Sequence, residues 1–263
     1  MRVGKALGMA PLASARHSSR ATPRAAPRSV ARHPAPDGQG PAVRARTPSR
    51  ARLALSACAG ASSVAFLVAA FLVRRHPSDI DREVQSGLDS RSFEPLLELP
   101  MEALELASSS RASFVLGVAV GLFFAIRRAD WRPGVLMMVA FVGVVIQADV
   151  LKSVFARADP ADWATGDVTG SSFPSGHVAQ AVAVWGTFGI IVAMGLGRRG
   201  RIAVGVCVAA LIAGSALSRL VLGAHWITDV VGGLGVGGVW FALVCAVALS
   251  MPSLRSQEAD EQA

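Results

Sequence analysis

From Leu53 to Ser250 the chain alternates long apolar runs with short polar breaks. Crossing a hydrocarbon core of about 30 Å takes ~20 mostly apolar residues. Six runs qualify: about 53–73, 106–126, 134–152, 177–197, 202–222 and 229–250. The pattern predicts an all-α fold, a six-transmembrane-helix bundle occupying residues 53–250. Arg111 interrupts the outer end of the second run, so that boundary is the least sharply marked. Between the first two runs, "FEPLLELPMEALELA" alternates leucine with glutamate. A short amphipathic helix lying in the interface has this pattern. It reads either as a cover over a lipid site or as a plain connector.

Before Leu53 the apolar period disappears. Residues 1–52 hold half of the chain's 14 prolines and many arginine pairs with alanine, serine or proline. Such a composition buries too little surface to offset the entropy of ordering, so a disordered basic tail is expected there. A solvated cytoplasmic tail, an organelle transit peptide and an over-long start all fit it. Residues 251–263 read as a short polar C-terminal tail.

Charge sharpens this division. Ten arginines and Lys5 against Asp37 give residues 1–52 a charge of +10, so with +8 for the whole chain the remainder carries −2. Nucleic acid is not the expected partner, because the bulk of the chain is near neutral with a mean hydropathy of +0.47. Arginines also cluster in the loops after runs two (Arg127, Arg128, Arg132) and four (Arg198, Arg199, Arg201). With six crossings these loops share a side with the N-terminal tail. The excess of positive charge makes that side cytoplasmic. The expected location is a bacterial plasma membrane, with the N-terminus inside. Cys58, Cys207 and Cys245 lie in apolar runs without metal-ligand spacing and read as packing residues. Trp131, Trp163 and Trp226 fall at predicted span ends, where interfacial anchors sit.

The remaining polar residues collect at one set of span ends. Lys152 closes run three, Ser175 and His177 open run four, Ser218 and Arg219 lie near the end of run five, and His225 and Asp229 lead into run six. Counting crossings puts all of them on the extracytoplasmic face. Charged groups at such depth are costly and mark function or a paired partner. In "FPSGH", a helix start offers unpaired N–H groups to an anion, Gly176 permits close approach, and Ser175 adds a hydroxyl. An ordinary N-cap with a packed histidine has the same sequence. In "SRLVLGAHWITD", Asp229 follows His225 by four residues and can orient its ring if the turn is helical. Arg219 supplies a fork suited to phosphate oxygens. Asp149, one turn before Lys152, is placed to pair with it.

"PSGH" at 174–177 and "SRLVLGAH" with Asp229 resemble the second and third signature motifs of the type 2 phosphatidic acid phosphatase family, and "LKSVFARADP" resembles the first. The resemblance implies a membrane hydrolase of lipid phosphate monoesters or diphosphates, such as phosphatidic acid, phosphatidylglycerol phosphate or a polyprenyl diphosphate. It implies that His225 is a nucleophile forming a phosphohistidine, that Asp229 orients it, and that His177 is the general acid. Lys152, Ser175, Gly176 and Arg219 would bind the phosphoryl group, with no metal or cofactor. The family arginine before proline is replaced here by Asp159, and Arg157 is the expected substitute. Asp159 also motivates a catalytically impaired, lipid-phosphate-binding relative. A phosphotransferase using the same histidine is a third reading. A transporter lacks support, without a clear internal repeat. The related vanadium haloperoxidases are soluble, unlike this chain.

Overall fold

A computed structural model describes residues 50–73, 77–89, 95–166 and 171–251. Residues 1–49 of the expected tail 1–52, and 252–263 of the C-terminal tail, lie outside the described residues, whereas Arg50 to Arg52 already belong to the first helix.

All regular structure among the described residues is helical. In order it comprises α1 (Arg50–Leu72), α2 (Asp79–Asp89), α3 (Pro95–Ala107), α4 (Ser110–Arg128), α5 (Arg132–Phe155), α6 (Pro160–Thr165), α7 (Gly176–Gln180), a π-helical turn (Ala181–Trp185), α8 (Gly186–Ala193), α9 (Arg198–Val221) and α10 (Ile227–Ser250). Six segments have the length and apolarity to cross a membrane, with α7, the π turn and α8 together forming the fourth, Gly176–Ala193. The second begins at Ser110, later than hydropathy suggested, because the Ser109 hydroxyl accepts from Ala112 N–H and caps the helix there. From Pro95 on, the leucine–glutamate stretch forms α3, which ends at Ala107 just before that cap.

The fourth and sixth segments are the bundle's centre, each with over half of its most apolar stretch buried. Val144, Ala179, Ala183 and Val236 pack together where α5, α7, the π turn and α10 meet. Helices in lipid associate through close backbone approach, since hydrocarbon offers no hydrophobic gain. Glycines supply it. A Cβ on Gly233 would lie 2.6 Å from the Ser175 carbonyl oxygen, and one on Gly237 would lie 2.5 Å from that of Ala179. The start of α7 is thereby pressed onto α10. On the other side of α10, Gly235 and Gly238 meet Ser62 and Phe66 of α1. Phe173, fully buried, stacks near Phe66 and Phe155 and anchors the segment leading into α7. Leu67, Phe71, Val115, Ile126, Val154 and Val206 point outward, as lipid-facing residues do.

Candidate active site

The start of α7 and the start of α10 lie side by side. Ser175 N–H donates to the Asp229 carbonyl oxygen at 3.0 Å. This backbone link sets the second motif against the third. Lys152, near the end of α5, reaches the same place: a Cβ added to Gly176 would lie 3.7 Å from its Nζ. A side chain at 176 would therefore fill space beside the ammonium. The Ser175 hydroxyl is fully buried, makes no cap and has no hydrogen-bond partner. Buried polar groups are rarely left so. The start of α7 thus carries a buried unpaired hydroxyl at Ser175 and, beside Gly176, the Lys152 ammonium.

His225 and Asp229 come together less tightly than their spacing suggested. Nδ1 of His225 lies 3.7 Å from Oδ2 of Asp229 and has no hydrogen-bond partner. Oδ2 instead accepts the Trp226 N–H at 2.8 Å, which caps α10. Catalytic hydrogen bonds are often long before substrate arrives. Arg219 hydrogen-bonds through Nη1 to Glu105 Oε1 at 3.0 Å, and its Nη2 pairs with Glu105 Oε2. Its Nε is buried without a partner. His177 shares a cavity of about 610 Å³ with Glu102, Glu105 and Arg111, between α3 and the start of α4.

Arg157 corrects an expectation. It is not an open phosphate clamp, because its side chain is 0% exposed and both terminal nitrogens meet carboxylates. Nη1 donates to Asp229 Oδ1 at 2.5 Å and Thr228 Oγ1 at 2.7 Å, and Nη2 donates to Asp81 Oδ2 at 2.6 Å. The guanidinium also lies 5.7 Å from the Trp226 ring centroid. Trp226 itself is buried, with Nε1 donating to the Ala158 carbonyl, so it is a core residue and not an interfacial anchor. Asp159 acts locally, since its side chain accepts Asp162 N–H at 2.8 Å and caps α6. Asp149 is exposed, and no ion pair joins it to Lys152.

Sequence reasoning missed Asp81, Thr228 and Glu105. Asp81 is wholly buried. Its Oδ1 accepts from Thr228 N–H and Oγ1, and its Oδ2 accepts from Ser78 N–H and Oγ as well as from Arg157. Burial pushes this carboxyl up, but the Ser78 and Thr228 hydrogen bonds and the Arg157 charge outweigh it, leaving Asp81 below its ordinary 3.8. Glu105 is also held below its usual value, chiefly by the hydrogen bond from Arg219. The Ser78-x-x-Asp81 spacing is a helix-start signal and marks α2, but not the partner of Asp81 across the fold.

With this geometry in place, similarity to known proteins decides the family. A model described as the PAP2 superfamily matches residues 133–250. Phosphatidylglycerophosphatase B of Bacillus subtilis (strain 168) is 30% identical over 142 residues, covering 52% of this chain and 68% of that protein. The chain belongs to the PAP2 superfamily. Its fold matches the crystal structure of a transmembrane PAP2-type phosphatidylglycerolphosphate phosphatase from Bacillus subtilis, with a TM-score of 0.66 and 25% sequence identity, over 74% of this chain and 98% of the other. This PAP2 protein is an integral membrane phosphatase, a phosphoric-ester hydrolase. Its candidate cradle, Lys152 to Asp229, falls inside the segment matched by the family, whereas Asp81, Glu102, Glu105 and Arg111 precede it.

Proposed function

We propose that this PAP2 enzyme releases phosphate from a lipid monoester or diphosphate, in the class of phosphatidic acid, phosphatidylglycerol phosphate or polyprenyl diphosphate, through a phosphohistidine on His225. The carrying observation is that the Ser175 hydroxyl, Arg219 Nε and His225 Nδ1 are all buried without partners, with the Lys152 ammonium beside Gly176. Those donors are fixed before the reaction, so they stabilise developing phosphoryl charge without reorganising. His225 Nε2 attacks phosphorus as the bond to the leaving oxygen breaks, and that oxygen takes the proton of His177. Water, deprotonated by His177, then displaces the histidine and frees phosphate. Asp229 orients the His225 ring, and Arg157 holds Asp229 from behind.

The arginine-rich loops support an extracytoplasmic site, since they flank the opposite ends of the spans. Purified full-length protein should release phosphate from at least one of the three lipids. His225→Ala should lower turnover by at least ~10³-fold, as losses of catalytic nucleophiles do. Undiminished turnover would remove His225 from the mechanism.

A further inference from the structure

Asp81 is a buried acid that the chemistry above leaves unused. It lies on α2, before the segment that the family model matches. Its side chain is wholly buried, and a charge at such depth is kept only against partners. Oδ2 accepts from Arg157 Nη2 at 2.6 Å, while Oδ1 accepts from Thr228 N–H at 3.1 Å and from Thr228 Oγ1 at 2.9 Å. Thr228 directly precedes Asp229 in the first turn of α10. A side chain of α2 therefore holds an otherwise unpaired N–H of the turn from which Asp229 projects. The Ser78 N–H and hydroxyl also donate to Oδ2 and fix the start of α2 around it.

The surroundings of Asp229 give this contact a consequence. Asp229 Oδ1 lies 2.5 Å from Arg157 Nη1, Oδ2 accepts the Trp226 N–H, and His225 Nδ1 stands 3.7 Å away. A cation so close, and out of water, cancels much of the field that the carboxylate exerts on the imidazole. The ring gains positive charge as its other nitrogen takes the phosphoryl group, so the step depends on that field. With Asp81 ionised, two carboxylates share one guanidinium, and the buried cluster keeps a net negative charge. With Asp81 neutral, Arg157 would offset Asp229 outright.

We propose that Asp81 is a positioning residue for phosphoryl transfer, which acts through Arg157 and Thr228 to fix the first turn of α10 and to leave Asp229 the negative charge that supports His225. This rests on the phosphatase reading above and deepens it. Part of the support for the nucleophile then comes from a helix outside the segment that defines the family.

The test uses the full chain in detergent, well below each variant's thermal midpoint, with whichever of the three lipids the wild type hydrolyses fastest. Turnover is expressed per molecule that binds orthovanadate, so misfolded protein does not register. Asp81→Asn removes the charge at nearly constant size. Its kcat should fall about tenfold to a hundredfold, the scale of a misplaced catalytic group. KM and the orthovanadate inhibition constant should stay within about twofold, because Lys152, Ser175 and Arg219 are unaltered. Thr228→Val should lower kcat about tenfold, and Thr228→Ser, which keeps the hydroxyl, should recover most of it. Unchanged turnover in Asp81→Asn overturns the proposal, as does an equal loss in Thr228→Val and Thr228→Ser. A raised KM with kcat intact also overturns it, since Asp81 would then act on phosphate binding. A wild type that releases phosphate from no lipid overturns the phosphatase reading itself, and this inference with it.

Discussion

The Glu105 carboxylate closes the end-on edge of the Arg219 guanidinium, while Nε of the same arginine is buried without a partner. α3, which is not among the six candidate spans, thus places an internal anion on a cation of the candidate phosphate cradle. Glu105 is 40% exposed, whereas Arg219 is 4% exposed, so the carboxylate is the partner with room to move.

Removing that charge should strengthen the pull on an incoming anion. In Glu105→Gln, inhibition by orthovanadate, a phosphate mimic, should tighten roughly threefold to tenfold, the scale of a partly solvated charge contact. Measured inhibition constants check this. Weaker inhibition would show that Glu105 serves to hold Arg219 in place.

Arg157 bridges two carboxylates with the two ends of one planar fork, a geometry that a lysine point charge does not reproduce. Arg157→Lys should let Asp229 drift and lower kcat about 10²-fold, with KM changed less than about twofold. A rise in KM with kcat intact would return Arg157 to the phosphate. Asp81→Ala should cost about 3–5 kcal/mol of stability, because it breaks a buried pair and leaves the guanidinium under-compensated. Thermal unfolding in detergent reads this directly.

Acid should loosen the same contacts. Asp81 and Glu105 both titrate below their unfolded values, so their stabilising share is fully present above the unfolded carboxylate pKa and is lost as pH falls through the depressed folded ones. The thermal midpoint should therefore hold between neutrality and about pH 5 and fall below about pH 4, the ordinary carboxylate range. Asp81→Asn should show a shallower acid slope than the wild type. Equal slopes would mean that Asp81 is already protonated in the folded protein.

Asp159 caps α6 and is not paired with Arg157 among the described contacts. Asp159→Asn should keep the cap, and Asp159→Arg should lose about 1 kcal/mol locally. Turnover in both should stay within about threefold, as for substitutions away from the reacting groups. A large gain in Asp159→Arg would reveal a site short of one guanidinium.

Hydropathy alone marked six helices, since membrane spans must be long, apolar and internally hydrogen-bonded whatever surrounds them. The local motifs also named Lys152, Ser175, Gly176, His177, Arg219, His225 and Asp229 as candidates, because each sits at a helix end that a short pattern announces. What tertiary packing decided was which charge meets which. Arg157 reaches Asp81 across 76 residues, and Arg219 reaches Glu105 across 114. No local period encodes such pairings. They follow from glycine-mediated approach of α7 to α10 and from where α2 and α3 settle over the span ends. Arg157 therefore looked like a substrate ligand in the sequence, and burial between two carboxylates gave it another part. Trp226 looked like an interfacial anchor for the same reason: position at a span end is visible in sequence, but depth in the protein depends on neighbours brought in from elsewhere in the chain.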